Sequence, residues 1–176
     1  DIETFGEEDF SRYAAALRIL SGSVLTLFLQ GKRPQLNLLT DRLMLEEMNN
    51  CNAGWKNITL APDGRFYICP AFYYENEPKC VGSLKTGLHI GDACLYRPDY
   101  APICRRCDAY HCRRCIWQNK KTTLEVNIPS REQCVMAHIE REAARCLLDE
   151  LHKHGLFANR EEIKELSYLD PLDTMD

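Results

Sequence analysis

The run Cys104-Arg105-Arg106-Cys107-Asp108-Ala109-Tyr110-His111-Cys112-Arg113-Arg114-Cys115 holds four of the chain's ten cysteines, in two C-x2-C pairs separated by four residues. A C-x2-C turn lets two thiolates grip one metal centre, and two such turns complete a tetrahedral zinc site when they can face each other. Zinc ribbons generally place about fifteen or more residues between their pairs. Four residues leave little room to fold back. Compact runs of this kind are instead found in ferredoxins, where the last cysteine serves a different cluster from the first three. By that logic Cys104, Cys107 and Cys112 share one centre and need a fourth ligand from elsewhere.

Downstream, Pro129 and Ser130 with Gln133 make a capping-box start to a helix of about two dozen residues. Its apolar face is Val135, Ile139, Ala143, Cys146, Leu147 and Leu151, and Gly155 is its stop. Cys134 lies in the first turn, where unpaired N–H groups and the positive end of the helix dipole favour a thiolate. It is the expected fourth ligand. Cys146, twelve residues further on, is about 18 Å away along the axis and reads as a core cysteine.

Upstream, Ile58 and Leu60 lead through Pro62-Asp63-Gly64 to Phe66-Tyr67-Ile68-Cys69 with period-two alternation, a hairpin whose glycine suits a positive φ. Phe66 and Ile68 are expected on one face, Tyr67 and Cys69 on the other. The turn-rich Asn49-Asn50-Cys51-Asn52-Ala53-Gly54 precedes the hairpin, so Cys51 and Cys69 can become neighbours and join Cys115 at a second centre. Arg105, Arg106, Arg113 and Arg114, with His111, would offset the negative charge of the thiolates. His111 reads as a polar neighbour that could replace a thiolate. Cys80 and Cys94 read as small buried or partly exposed residues.

Before Cys51, the stretch from Glu7 to Gln30 places Phe10, Tyr13, Ala14, Leu17, Leu20, Val24, Leu27 and Phe28 at helical spacing, with a weak point at Gly22 and a stop at Gly31. With 176 residues, 45% hydrophobic and 27% charged, the chain has globular composition and enough length to bury an ordinary core without staples. A net charge of -4 disfavours a general nucleic-acid footprint. No apolar run approaches the ~20 residues of a bilayer span, and the acidic start is unlike a signal peptide, so a cytoplasmic protein without a membrane partner is expected. In that reducing compartment clustered cysteines hold metal, and a secreted disulfide scaffold is the alternative.

The whole set, Cys51, twelve residues, Gly64, four residues, Cys69, then Cys104, Cys107, Cys112, Cys115 and Cys134, resembles the seven-cysteine SPASM pattern that follows the catalytic barrel of many radical SAM enzymes. The wording Asn37-Leu38-Leu39-Thr40-Asp41, Phe66-Tyr67-Ile68-Cys69-Pro70-Ala71-Phe72-Tyr73-Tyr74 and Lys121-Thr122-Thr123-Leu124-Glu125 is similar to the CXXX repeat peptide maturases. The resemblance implies two auxiliary [4Fe-4S] clusters, one on Cys51, Cys69 and Cys115 and the other on Cys104, Cys107, Cys112 and Cys134. Zinc is a possible substitute in protein purified in air. It also implies a ribosomally synthesised, cysteine-containing peptide as substrate. The radical SAM signature C-x3-C-x2-C does not occur in these residues. S-adenosylmethionine would therefore bind only in a separate N-terminal barrel, and this chain alone should be inert.

The expected architecture is α+β: a small cysteine-rich region of hairpin and loops holding metal clusters, flanked by an N-terminal and a long C-terminal helix. Residues 1–50 would be the remnant of a preceding barrel, with an apolar helix face that the barrel covers or that makes the piece dimerise. Residues 51–155 would be the cluster domain, irregular with short elements from Ala71 to Tyr100, and 156–176 an acidic extension with a helical turn around Glu161 to Leu166. No cysteine precedes Cys51. The second centre is thus left an open position for a substrate thiolate, unless Cys80, Cys94 or His111 closes it. A zinc-held protein- or nucleic-acid-binding module is the competing reading.

Overall fold

A computed structural model describes residues 4–158 apart from 46, 49 and 113. The elements run α1 (Glu7–Leu29), α2 (Thr40–Met44), β1 (Thr59–Leu60), β2 (Phe66–Tyr67), α3 (Pro70–Tyr73), β3 (Gly82–Ser83), β4 (Gly87–Leu88), α4 (Ile116–Thr123) and α5 (Arg131–Lys153). Short 3-10 turns cover Ala93–Tyr96, Pro98–Tyr100 and Cys104–Arg106. The fold is α+β, with small antiparallel sheets and a long helix toward each end. The turn expected around Glu161 to Leu166 lies outside the described residues. Two compact units partition the chain: a helical unit of residues 1–49, 107–112 and 131–176, and a cysteine-rich unit of residues 50–106 and 113–130.

In the helical unit α1 and α5, each 23 residues and so about 35 Å long, pack along one another. Phe10, Leu17, Val24 and Phe28 of α1 are buried in one core with Val135, Ile139, Leu147, Leu148 and Leu151 of α5, and with Leu39 and Leu43 from the α2 region. At the start of α1 the Gly6 N–H donates to the Asp9 carboxylate at 3.0 Å, and Glu7, Glu8 and Asp9 complement the positive end of the dipole. The helix continues through Gly22 and stops at Gly31, whose φ is +75°. At the end of α5 the Leu156 N–H donates to the Leu151 carbonyl and the Gly155 N–H to that of His152, both at 2.9 Å, with Gly155 at φ +71°. That is a Schellman closure.

Three expectations change here. The apolar stripe of α1 rests on α5, where the sequence reading left it for a preceding domain or a second copy. Cys146 is exposed. It borders a groove of ≈ 640 Å³ lined by Ala14, Ser21 and Gly22 of α1 and Ala143 of α5. Finally, α1 is long and apolar enough, by length and composition alone, to cross a bilayer, with mean hydropathy 1.3 in its most apolar window. Counting uninterrupted apolar runs misses this, because Arg18 and single Ser, Gly and Thr residues break the runs while the leucines, isoleucine, valine, phenylalanine and alanines keep the average high. A core helix passes the same test, and no other described helix does.

In the cysteine-rich unit β1 and β2 pair with Thr59 opposite Tyr67 and Leu60 opposite Phe66. Gly64 closes the turn at φ +76°, its N–H donating to the Ala61 carbonyl at 2.9 Å. The alternation ends after two residues: Tyr67 and Ile68 are both buried, since the chain turns at Cys69 into α3. A second hairpin, β3 with β4, follows inside the stretch read as irregular, joined to the first through the Val81 N–H donating to the Phe66 carbonyl at 2.7 Å. Gly82 is obligatory there, because a Cβ would stand 2.0 Å from the Gly87 carbonyl oxygen.

Candidate metal centre

The core of the cysteine-rich unit is Ala53, Ile68, Phe72 and Ile116. Each is a near chain neighbour of Cys51, Cys69 or Cys115, so burying these apolar side chains together gathers the three thiols. Cys51 sits in a tight loop, with Asn52 at φ +53°, Gly54 at φ +78°, and its carbonyl accepting from Asn57 Nδ2. Cys69 ends the hairpin and precedes Pro70, the first residue of α3, and its carbonyl accepts from the Phe72 N–H at 3.1 Å. Cys115 is the N-cap of α4, its carbonyl accepting from the Asn119 N–H at 2.8 Å.

Electrostatics place the three together. Burial pushes the Cys69 thiol up from its ordinary range, the Phe72 and Ala71 N–H groups pull it back, and the charges of Cys115 and Cys51 push it up again. Cys51 is exposed while Cys69 and Cys115 are half-buried, so the group opens to solvent on one side. Among the described residues no three His, Cys, Asp or Glu side chains are close enough to hold a single metal ion. A zinc ion needs its sulfurs within about 4 Å of one another.

The second expected ligand set is divided: Cys104 belongs to the cysteine-rich unit, and Cys107, Cys112 and Cys134 to the helical unit. Cys107 Sγ lies 3.5 Å from His138 Nε2 and accepts from the Ala109 N–H at 3.4 Å. Cys134 is one helical turn before His138 on the same face of α5. His138 was not among the expected residues, although its i+4 spacing from Cys134 is a signal that the sequence carries. Asp108, buried in the same segment, pairs with Arg141 at 2.8 Å and Arg42 at 3.6 Å.

His111 is buried and its Nε2 lies 2.9 Å from the Glu140 carboxylate, which also accepts from Tyr13 Oη at 2.7 Å. Of the four arginines, Arg105 and Arg106 are exposed, Arg113 is outside the described residues, and Arg114 is buried beside Cys104. Burial raises the Cys104 thiol, and the Arg114 charge draws it back. Cys80 is exposed and Cys94 half-buried.

No protein-family model matches this chain, and neither the curated proteins nor the solved structures contain a match.

Proposed function

We propose that this chain is an auxiliary iron–sulfur domain serving a radical SAM enzyme that modifies a ribosomally made, cysteine-containing peptide in the cytoplasm. The observation that carries the reading is the convergence of Cys51, Cys69 and Cys115 on one small core made of their own chain neighbours. An iron–sulfur cluster held there would supply one-electron transfer and, at a fourth position, a place for an outside thiolate. The chain's residues do the rest. The Ala71 and Phe72 N–H groups lower the Cys69 thiol against the effect of burial, Cys115 stands at the start of α4, and the exposure of Cys51 leaves room for a peptide. A second centre is proposed on the helical unit's thiols, Cys107, Cys112 and Cys134.

Anaerobic loading with iron and sulfide tests the reading. Wild-type protein should carry about eight iron and eight sulfide per chain for two [4Fe-4S] clusters, and Cys69→Ser about half of that. Colourless protein with stoichiometric zinc and no acid-labile sulfide would overturn it in favour of a zinc-held binding module. Full iron content in the Cys69→Ser, Cys51→Ser and Cys115→Ser variants would overturn the assignment of these three thiols.

A further inference from the structure

The described residues contain three buried arginines, and they differ in one respect. Arg42 and Arg141 share the Asp108 carboxylate. Arg114, 3% exposed, pairs with no Asp or Glu among the described residues. Its Nη1 donates to the Tyr96 carbonyl at 3.2 Å, whereas its Nε and Nη2 are buried with no oxygen or nitrogen acceptor, the Cys104 thiol being the group the guanidinium stands against. A guanidinium cannot shed its charge as a buried lysine or histidine does, so the unmatched cation and two idle donors call for an anion. The neighbours name its chemistry: the Cys104 thiol lies beside the guanidinium, and Cys115 is the next residue in the chain.

We infer that Arg114 is an anion receptor for an iron–sulfur centre of the cysteine-rich unit, its free Nε–H and Nη2–H groups binding the centre's sulfur anions, thiolate or sulfide. The inference rests on the function proposed above and adds to it a specific residue. Arg114 acts through the centre: its fixed positive charge stabilises the more negative, reduced form and so raises the midpoint potential. Its planar fork lets two donors meet two sulfurs at once, which a lysine ammonium cannot reproduce. The Tyr96 carbonyl fixes the fork's other edge. Gly54 in turn leaves the space that the Tyr96 ring occupies, since a Cβ there would stand 2.5 Å from the ring.

The test uses the full chain, loaded anaerobically with iron and sulfide, as wild type, Arg114→Lys and Arg114→Met. The readouts are iron and sulfide per chain, midpoint potential, and the rate at which a ferrous chelator strips iron. Arg114→Met should have a more negative potential for one centre and lose its iron about tenfold faster, with Arg114→Lys between it and wild type. Wild-type potential and stripping rate in Arg114→Met would overturn the inference, as would Arg114→Lys being at least as impaired as Arg114→Met, the pattern of a purely steric role. If Arg114→Met does not load, the lysine variant decides: loading with a displaced potential supports the inference, and failure to load overturns it because the charge has been kept. A wild-type chain that takes up no iron and sulfide refutes the cluster reading itself. A loaded wild type with an indifferent Arg114→Met refutes the receptor alone.

Discussion

Gly54 and Gly87 offer a matched pair of substitutions within the cysteine-rich unit. Both adopt left-handed backbone, at φ +78° and +80°, so alanine at either position incurs the same conformational penalty, about 1–2 kcal/mol. Their surroundings differ. A Cβ at Gly87 meets nothing within 4 Å, whereas at Gly54 it would stand 2.5 Å from Tyr96 Cγ and 2.8 Å from Cδ1. The ring must move, and overpacking of this kind adds about 1–3 kcal/mol. Gly87→Ala is therefore expected to cost about 1–2 kcal/mol, and Gly54→Ala about 2–5. The chain's two tryptophans, Trp55 and Trp117, both belong to this unit, so urea unfolding followed by their emission reads it without interference from the helical unit. Unchanged slopes would confirm that the midpoint shift is one of stability. Because the Tyr96 carbonyl accepts from Arg114, Gly54→Ala should also speed iron stripping, and Gly87→Ala should not. Equal midpoints for the two variants would refute the reasoning.

Two further outcomes are expected. Burial, and after it the hydrogen bond to Glu140, holds the Tyr13 phenol well above its ordinary value of 10.0. The folded state thus favours the neutral phenol, so this contribution is intact below the unfolded value and is lost as pH rises through the folded one. Urea midpoints from far-UV circular dichroism between about pH 9 and pH 11.5 should fall for wild type and fall less for Tyr13→Phe, and parallel declines would exclude Tyr13 as the source. Ferrous chelation under reducing conditions should abolish hydrogen-exchange protection through residues 71–106 and 114–121 while α1 and α5 keep theirs. Protection that survived chelation there would mean that Ala53, Ile68, Phe72 and Ile116 suffice as a core.

What the sequence determined by itself was local. The period of apolar residues and the terminal glycines located α1 and α5, and Pro62-Asp63-Gly64 located the first hairpin, because helix stripes and tight turns are set by residues within a few positions of one another. Of the candidate site, the hairpin that ends at Cys69 and the turn-rich entry at Cys51 were legible for the same local reason. Only the tertiary structure decided which long-range surfaces meet. It set α5 against α1 and left Cys146 at an open groove, although its helical position matches that of buried Ile139. It brought Gly82 onto the Gly87 carbonyl in a hairpin too short to show alternation. It also buried Arg114 while exposing Arg105 and Arg106, three residues that look alike in a basic run. A charge pattern states how many cations a segment carries, but the packing of Tyr96, Cys104 and the core around Ile116 selects the one that leaves water, and with it the one that needs an anion.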